Sequence, residues 1–193
     1  MAAHVVVLNG GSSSGKSRIA RDLQAILPQP WLSLSVDDLV AALPPSLTDA
    51  PADSGTGTTT GTTTGATTGI TFGMQGEVAI GPDFREVESA WLAGLAAIAR
   101  AGARLIYDDV FLGGAASQQR VRMGLRGIAV LWVGVRCAPE VATAREAARG
   151  DRIAGMAAGQ AEPVHAGVEY DLEVDTSQAD SLDCARAIAA RLA

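Results

Sequence analysis

The residues from Gly10 to Ser17 have the types and spacing needed to hold phosphate groups. They read Gly-Gly-Ser-Ser-Ser-Gly-Lys-Ser and match G-x-x-x-x-G-K-[ST], a loop whose backbone wraps a phosphate chain. Lys16 is the only lysine among the 15 residues that are lysine or arginine. A lysine ammonium is a compact charge that can sit between phosphate oxygens. The sequence therefore predicts a nucleotide-binding loop.

The segments on either side of this loop have the structure that the motif requires. Residues 4–9 read His-Val-Val-Val-Leu-Asn, a β-branched run suited to a buried parallel strand. After Ser17, apolar residues recur at helical spacing up to Leu27. A strand, a glycine-rich turn and a helix N-terminus together form an anion site. We expect the nucleotide to contact Gly10, Gly11, Ser12, Ser13, Ser14, Gly15, Lys16 and Ser17.

Strand-like and helix-like segments alternate along the chain. Such alternation predicts an α/β fold with a parallel sheet covered by helices on both faces, and its active site should lie beyond the carboxyl ends of the strands. The predicted strands are Val5–Leu8, Trp31–Val36, Arg104–Tyr107, Ile128–Val135 and Leu172–Val174. The predicted helices are Lys16–Leu27, Phe84–Ala101, Ala115–Leu125, Pro139–Arg149 and Leu182–Leu192.

Two carboxylates directly follow the third predicted strand. Magnesium prefers oxygen ligands and often uses a carboxylate beside the phosphates of its nucleotide. We expect Asp108 to bind Mg²⁺ together with the hydroxyl of Ser17. Asp109 is the alternative ligand, because a shift of one residue reverses the direction of a strand side chain. A purely structural interpretation makes the two aspartates a turn or helix cap.

A second carboxylate pair, Asp37 and Asp38, ends the second predicted strand. A carboxylate at this strand end could accept the proton of an incoming hydroxyl during phosphoryl transfer. The other member of the pair could cap the short helix that follows. We interpret Asp37 as the general base and Asp38 as the cap, and the reverse assignment remains open.

Arginines in the second half of the chain could neutralise charge on a transferring phosphoryl group. Arg145 and Arg149 are four residues apart and share one helical face, and Arg152 follows a glycine where a lid could begin. Arg136 ends the fourth predicted strand and could join them. The alternative is a solvated helix whose arginines pair with neighbouring glutamates.

Composition narrows the classes of protein that this chain could be. Its 193 residues, 48% of them hydrophobic, are enough for one domain over residues 1–193 with its own core. The net charge of −6 argues against nucleic-acid and membrane-surface binding. No apolar run is long enough for a bilayer and no signal peptide is evident, so we expect a cytoplasmic protein.

Three other reactive side chains are interpreted as structural. Cys137 and Cys184 match no metal-ligand spacing and are expected to be reduced, buried and apolar in character. His165 has no catalytic partner recognisable in the sequence. We expect it to make hydrogen bonds within the fold.

Residues 54–73 are almost entirely glycine and threonine. Such a segment has too little apolar surface to offset the entropy lost on ordering. We therefore expect a disordered loop insertion at about residues 54–73. The alternative is a lid over the site of the second substrate.

Several segments, taken together, resemble the chloramphenicol 3-O-phosphotransferase family. The similarity covers most of the chain in order, outside about residues 46–76. The segments are Val7–Ser17, Ser35–Asp37, Asp108–Gly114, Leu131–Cys137, Arg145–Arg152 and Gly167–Thr176.

This resemblance implies an adenylate-kinase-like P-loop fold that moves the γ-phosphate of ATP to a primary hydroxyl of the antibiotic. The proposed base of the family falls on Asp37, its phosphate loop on Gly10–Ser17 and its lid arginines on Arg145–Arg152. The chain departs from the family in the Gly/Thr segment, on the side of the acceptor.

Two other functions remain open from the sequence. One is a kinase for another metabolite or a nucleotide. Residues 31–83 contain no arginine, which argues against acidic or phosphorylated acceptors. The other is a non-enzymatic ATP-dependent regulator, which would not require an acidic residue at position 37.

Overall fold

The structure is a computed structural model that describes residues 3–49, 68–73, 76–149 and 155–192. Its strands are β1 Val5–Asn9, β2 Trp31–Ser35, β3 Thr48–Asp49, β4 Ile70–Phe72, β5 Val78–Ile80, β6 Arg104–Asp109, β7 Val130–Arg136 and β8 Leu172–Asp175. Its helices are α1 Lys16–Ile26, α2 Val36–Ala41, α3 Pro82–Arg100, α4 Ala115–Gly124, α5 Pro139–Arg149, α6 Met156–Gln160 and α7 Ser181–Ala189. Short 3₁₀ helices span Pro45–Leu47 and Pro163–His165.

Five strands form the central sheet in the order β2-β6-β1-β7-β8, and every pairing in it is parallel. The predicted five-stranded parallel sheet is therefore confirmed. β1 lies in the middle, so the loop that leaves it emerges at the centre of the carboxyl edge. In the register of β1 with β6, Leu8 lies opposite Asp108 and Asn9 lies opposite Asp109. The end of β6 thus faces the start of the phosphate loop.

Both faces of β1 are buried under helices. Val6 and Leu8 pack with residues of α1 and α7 on one side. Val5 and Val7 pack with residues of α3 and α4 on the other. This double burial explains why the strand is a continuous apolar run rather than an alternating one.

A second sheet, in the order β3-β4-β5, covers the region between α2 and α3. Ile70 of β4 is only 4% exposed and packs with Leu39 and Phe84. The predicted insertion at about residues 54–73 therefore extends too far. Residues 54–67 lie outside the described part of the chain, but residues 68–73 include a packed strand. The Gly/Thr composition of the segment predicted disorder throughout, although two apolar side chains, Ile70 and Phe72, anchor this strand.

The 19-residue helix α3 lies along one face of the central sheet. It buries Phe84, Leu92 and Leu95, while Arg100 at its end stays exposed. Its pattern is that of an amphipathic helix packed on a core. Of the helices that the structure describes, none has the length and apolar character to cross a membrane.

Substituting Ile70 tests whether β4 is packed. Ile70→Ala should reduce the free energy of unfolding by about 2–5 kcal/mol, because it removes a buried aliphatic side chain and leaves a cavity. Met123→Ala is the control, since Met123 is 59% exposed. Urea denaturation of both variants measures the difference. Equal stability of Ile70→Ala and the parent protein would show that β4 does not pack as described.

Candidate active site

The phosphate loop connects β1 to α1, and two of its glycines are required by its shape. Gly15 has φ +94°, a left-handed conformation that residues with a Cβ seldom adopt. At Gly10, a Cβ would approach the carbonyl oxygen of Val135 to 2.5 Å. The tight turn delivers the N-terminus of α1 to the sheet edge. Such an N-terminus attracts anions through its free N–H groups and its dipole.

The Lys16 side chain folds back over the loop. Its Nζ donates to the carbonyl oxygens of Gly10 at 2.8 Å and Gly11 at 2.9 Å. The same nitrogen lies 3.7 Å from Oδ1 of Asp108. The ammonium is largely buried and is therefore held at a defined point above the backbone of the loop.

Ser17 and Asp108 contact each other across the neighbouring ends of α1 and β6. Ser17 Oγ donates to Oδ2 of Asp108 at 2.7 Å. Burial raises the pKa of Asp108, while the charge of Lys16 and the bond from Ser17 oppose that rise. A hydroxyl and a carboxylate side by side are hard oxygen donors of the kind that Mg²⁺ uses. The pair therefore fits a magnesium site beside the phosphates.

Asp109 points away from this pair, as strand alternation requires. It accepts a hydrogen bond from the N–H of Val110 at 2.7 Å. Burial, followed by the repulsion of Glu88 and Asp108, raises the pKa of Asp109 to about 7. Of the two aspartates, Asp108 is the one whose carboxylate contacts Ser17.

Asp37 and Asp38, the second carboxylate pair, have different surroundings at the start of α2. The N–H of Asp38 donates to Ser35 Oγ at 3.1 Å, and Asp38 Oδ2 accepts from the N–H of Ser35 at 2.7 Å. This reciprocal pair is a capping box in which Ser35 is the N-cap and Asp38 is the third helical residue. The predicted cap is therefore corrected: Ser35 caps α2, and Asp38 supports that cap from within the first turn. Asp37 instead lines the active-site cavity, and its charge helps to raise the pKa of Asp108.

One cavity of about 370 Å³ connects the phosphate loop to an apolar chamber. At one end lie Lys16, Ser17 and Asp108, and Asp37 lies on the wall. The chamber is lined by the apolar side chains of α2, the small sheet, α3 and α6, namely Val36, Val40, Ile70, Phe72, Val78, Ile80, Phe84 and Met156. Such a cavity can hold an apolar molecule against the phosphate site.

The arginines predicted to face the phosphates differ in their position relative to the cavity. Arg149, near the end of α5, lines the cavity, and Arg152 lies outside the described residues. Arg136 pairs with Glu173 and lies over the ring of Tyr170, and it is not among the residues that line the cavity. The prediction that Arg136 faces the phosphates is corrected, because strand alternation turns it to the opposite side from Val135.

Arg145 supports the loop from behind. Its Nη1 and Nη2 donate to Oγ1 and the carbonyl oxygen of Thr176, at 3.0 and 2.7 Å. Thr176 Oγ1 in turn donates to the carbonyl oxygen of Ser14 at 2.8 Å. The end of β8 is thereby tied to the phosphate loop.

Sequence reasoning missed Gln160, which holds the other side of the loop. The N–H of Ser12 donates to Oε1 of Gln160 at 2.8 Å. Gln160 lies on α6, a helix of five residues that is too short to show periodicity in the sequence. The carboxylate of Glu146 accepts from the N–H groups of Gly155 and Ala157 and so fixes the start of α6.

Beneath the loop lies a buried hydrogen-bond network centred on Asn9. Its Nδ2 donates to the carbonyl oxygen of Val164 at 2.8 Å and to Tyr170 Oη at 2.6 Å, and its Oδ1 accepts from the N–H of Phe111. Tyr170 Oη lies 2.6 Å from His165 Nδ1. Burial raises the pKa of Tyr170 to about 12, so the hydroxyl stays protonated, and it donates a hydrogen bond to Nδ1. His165 has the structural role expected from the sequence.

Comparisons with solved structures identify the fold. A sugar kinase from Janibacter sp. HTCC2649 has 19% identity and a TM-score of 0.63, covering 98% of this chain and 94% of that one. The Mycobacterium tuberculosis APS kinase CysC, solved with AMPPNP and APS, has 16% identity and a TM-score of 0.60, covering 99% and 98%. The fold is that of the P-loop kinases.

The family follows from the sequence match. The model of the chloramphenicol phosphotransferase-like proteins matches residues 3–193, and the chain belongs to this family. A Mycobacterium tuberculosis protein, provisionally named an O-phosphotransferase, is 30% identical over 183 residues, covering 94% of this chain and 79% of that protein. The chain is therefore a phosphotransferase of the kinase type.

His165 gives the stability of the protein a dependence on pH. Burial, reinforced by the charge of Arg136, lowers its pKa to about 4, against 6.5 for an exposed histidine. Between these values the unfolded chain binds a proton that the folded chain does not. The contribution of neutral His165 is therefore complete above pH 6.5 and is lost as the pH falls towards 4.

His165→Gln should make the stability depend less on pH between 6.5 and 4, because glutamine does not titrate. The variant and the parent protein will also differ in absolute stability, so the slopes are compared. Thermal melting at a series of pH values from 7 to 4 measures the slopes. Parallel curves for the two proteins would rule out His165 as the titrating group.

Proposed function

We propose that this protein transfers the γ-phosphate of ATP to a hydroxyl of a small, largely apolar alcohol. The first candidate is the primary 3-hydroxyl of chloramphenicol. The observation that supports this proposal is the single cavity in which Lys16 and Ser17 adjoin Asp37 and an apolar chamber. A phosphate donor and an alcohol bound there would be neighbours, which is the main requirement of phosphoryl transfer.

Asp37 is proposed as the general base. The acceptor oxygen attacks the γ-phosphorus, its proton passes to the Asp37 carboxylate, and the bond between the γ-phosphorus and the bridging oxygen breaks to release ADP. Asp37 is exposed to the cavity, and the capping box of Asp38 and Ser35 fixes the helix turn that carries it. Asp37 can therefore meet the alcohol without a large movement of the backbone.

The loop and its neighbours hold the phosphates. Backbone N–H groups of Gly10–Ser17 and the ammonium of Lys16 bind phosphate oxygens, and Arg149 approaches from α5. Ser17 and Asp108 would hold Mg²⁺, which neutralises charge on the phosphate oxygens when it is bound. Arg152 retains its proposed role from the sequence, whereas Arg136 is assigned none at the phosphates.

The apolar lining of the chamber favours an acceptor with a largely apolar framework. Its wall carries Ile70, Phe72, Ile80 and Phe84 in contact range of a ligand. Chloramphenicol combines a free primary hydroxyl with a largely apolar framework, and the family to which the chain belongs is named for its phosphorylation. These two points make it the first acceptor to test.

Substitution of Asp37 tests its role as base. Asp37→Asn should lower kcat by about 10²-fold or more, because an amide cannot accept the proton, while the affinity for ATP is unchanged. Asp38→Asn is the matched control, since it alters the neighbouring carboxylate in the cap and should change kcat by less than about threefold. Unchanged turnover by Asp37→Asn, measured by coupled ADP release, would exclude Asp37 as the base.

The acceptor is tested by product analysis. With ATP and Mg²⁺, chloramphenicol should gain one phosphoryl group by mass spectrometry, on the primary hydroxyl by NMR. 3-O-Acetylchloramphenicol is the matched control, because its primary hydroxyl is blocked, and it should gain none. If another small alcohol is phosphorylated and chloramphenicol is not, chloramphenicol is excluded as the acceptor, and the proposed phosphoryl transfer to an alcohol stands.

A further inference from the structure

The side-chain amide of Gln160 is bound to the phosphate loop at one end only. Its Oε1 accepts a hydrogen bond from the N–H of Ser12 at 2.8 Å. Because a backbone N–H can only donate, this bond fixes which end of the amide is the oxygen. The amide nitrogen Nε2 is therefore the end turned away from Ser12. It makes no hydrogen bond to any residue that the structure describes.

The unpaired amide nitrogen is open to the active-site cavity. Gln160 is 6% exposed and is one of the residues that line this cavity. In the described part of the chain, Nε2 is not among the fully buried side-chain atoms that lack a partner. The small exposed part of Gln160 therefore includes Nε2. A donor that is nearly buried and has no partner is satisfied best by a ligand with oxygen acceptors.

The position of Lys16 indicates which part of a nucleotide this donor would meet. The lysine of a phosphate loop reaches the β- and γ-phosphates, and Lys16 Nζ lies at the start of the loop, on the carbonyl oxygens of Gly10 and Gly11. Gln160 packs against the same glycine, since its Cβ lies 3.2 Å from the place that a Cβ on Gly11 would take. The ammonium and the amide thus both adjoin Gly11, at the γ-phosphate end of the proposed site.

The short helix that carries Gln160 is fixed at both ends. Glu146 of α5, which is buried, accepts from the N–H of Gly155 at 2.9 Å and from the N–H of Ala157 at 2.8 Å. The other end of α6 is held by the bond of Gln160 to Ser12. A donor fixed in this way needs little reorganisation when a phosphoryl group moves past it, which is the condition for electrostatic stabilisation of a transition state.

We propose that Gln160 is a catalytic residue whose Nε2 donates a hydrogen bond to an oxygen of the γ-phosphate during its transfer. No covalent bond to Gln160 forms or breaks, because the amide only stabilises charge on the oxygens of the transferring group. Glu146 is a positioning residue for Gln160. The inference rests on the proposed function. It removes the N–H of Ser12 from the proposed phosphate donors of the loop, since that N–H is already bound to Oε1.

Gln160→Glu separates the two ends of the amide. The carboxylate keeps an oxygen for the N–H of Ser12, but it replaces the Nε2 donor with an anionic oxygen that repels the γ-phosphate. The affinity for AMPPNP should fall at least about tenfold, while the affinity for ADP stays within about threefold. With chloramphenicol as acceptor, kcat should fall by about 10²- to 10³-fold, the usual loss when one such donor is removed. Isothermal titration calorimetry with Mg²⁺ measures the affinities, and coupled ADP release measures kcat.

Gln24→Glu is the matched control. Gln24 Nε2 donates to the carbonyl oxygen of Trp31 at 2.8 Å, and Gln24 is not among the residues that line the cavity. This substitution also replaces an amide donor with a carboxylate and adds the same charge. It should leave kcat and both affinities within about threefold of the parent values, because the added charge is distant and screened.

Glu146→Gln tests the positioning role. It leaves one N–H at the start of α6 without its acceptor, so Gln160 remains but is held less firmly. The affinity for AMPPNP should fall more than that for ADP, by a smaller factor than in Gln160→Glu. Equal loss of both affinities would make Glu146 a support of the fold alone and would overturn its positioning role.

The outcomes separate this inference from the proposed function. Equal loss of AMPPNP and ADP affinity in Gln160→Glu, or no loss of either, overturns the contact of Gln160 with the γ-phosphate, and transfer by the parent protein then leaves the proposed function standing. Selective loss of AMPPNP affinity supports the contact, and an unchanged kcat in the same variant overturns its part in catalysis. If the parent protein transfers phosphate to no alcohol while the selective loss is seen, the proposed function falls and the contact stands.

Circular dichroism and melting curves show whether each variant is folded. If Gln160→Glu does not fold, Gln160→Met takes its place, because methionine has a similar length and no charge but lacks the donor. It should also weaken AMPPNP binding more than ADP binding. Equal weakening of the two nucleotides by Gln160→Met would overturn the contact with the γ-phosphate.

Discussion

The contact of the Asp108 carboxylate with the Ser17 hydroxyl and the nearby Lys16 ammonium is the interaction on which the rest of the site depends. It joins the end of β6 to the first turn of α1 at 2.7 Å, with the ammonium at 3.7 Å. A carboxylate buried there without such partners would be strongly unfavourable. The contact is possible because β1 and β6 are adjacent parallel strands whose ends align, with Leu8 opposite Asp108.

The same alignment sets the position of the proposed acceptor site. β2 lies on the far side of β6, in a register that sets Ser35 opposite Asp108, and α2 begins at the next residue. Asp37 is therefore held within electrostatic reach of Asp108. The small sheet and the start of α3 close the apolar side of the cavity. The positions of the proposed phosphate site, the proposed base and the proposed acceptor wall thus follow from the order of three neighbouring strands.

The central sheet and the phosphate loop could be predicted from the sequence because each depends on a local signal. A buried parallel strand requires a run such as Val5–Leu8, and the loop requires glycine at fixed positions. Gln160 and the role of Arg145 could not be predicted, since each acts through contacts between residues far apart in the chain. Arg136 was assigned to the wrong side because the sequence does not show the direction of a side chain at the end of a strand. Ile70 was hidden by the Gly/Thr composition around it.

The central claim is that the phosphoryl group passes directly from the loop to an alcohol in the adjoining chamber. A single-turnover experiment with ATP labelled in the γ-phosphate, excess protein, Mg²⁺ and chloramphenicol measures this transfer. The account predicts that the label appears on the alcohol as ATP is consumed, with little in inorganic phosphate. Label that appears only in inorganic phosphate, at a rate that does not depend on the alcohol, would contradict it.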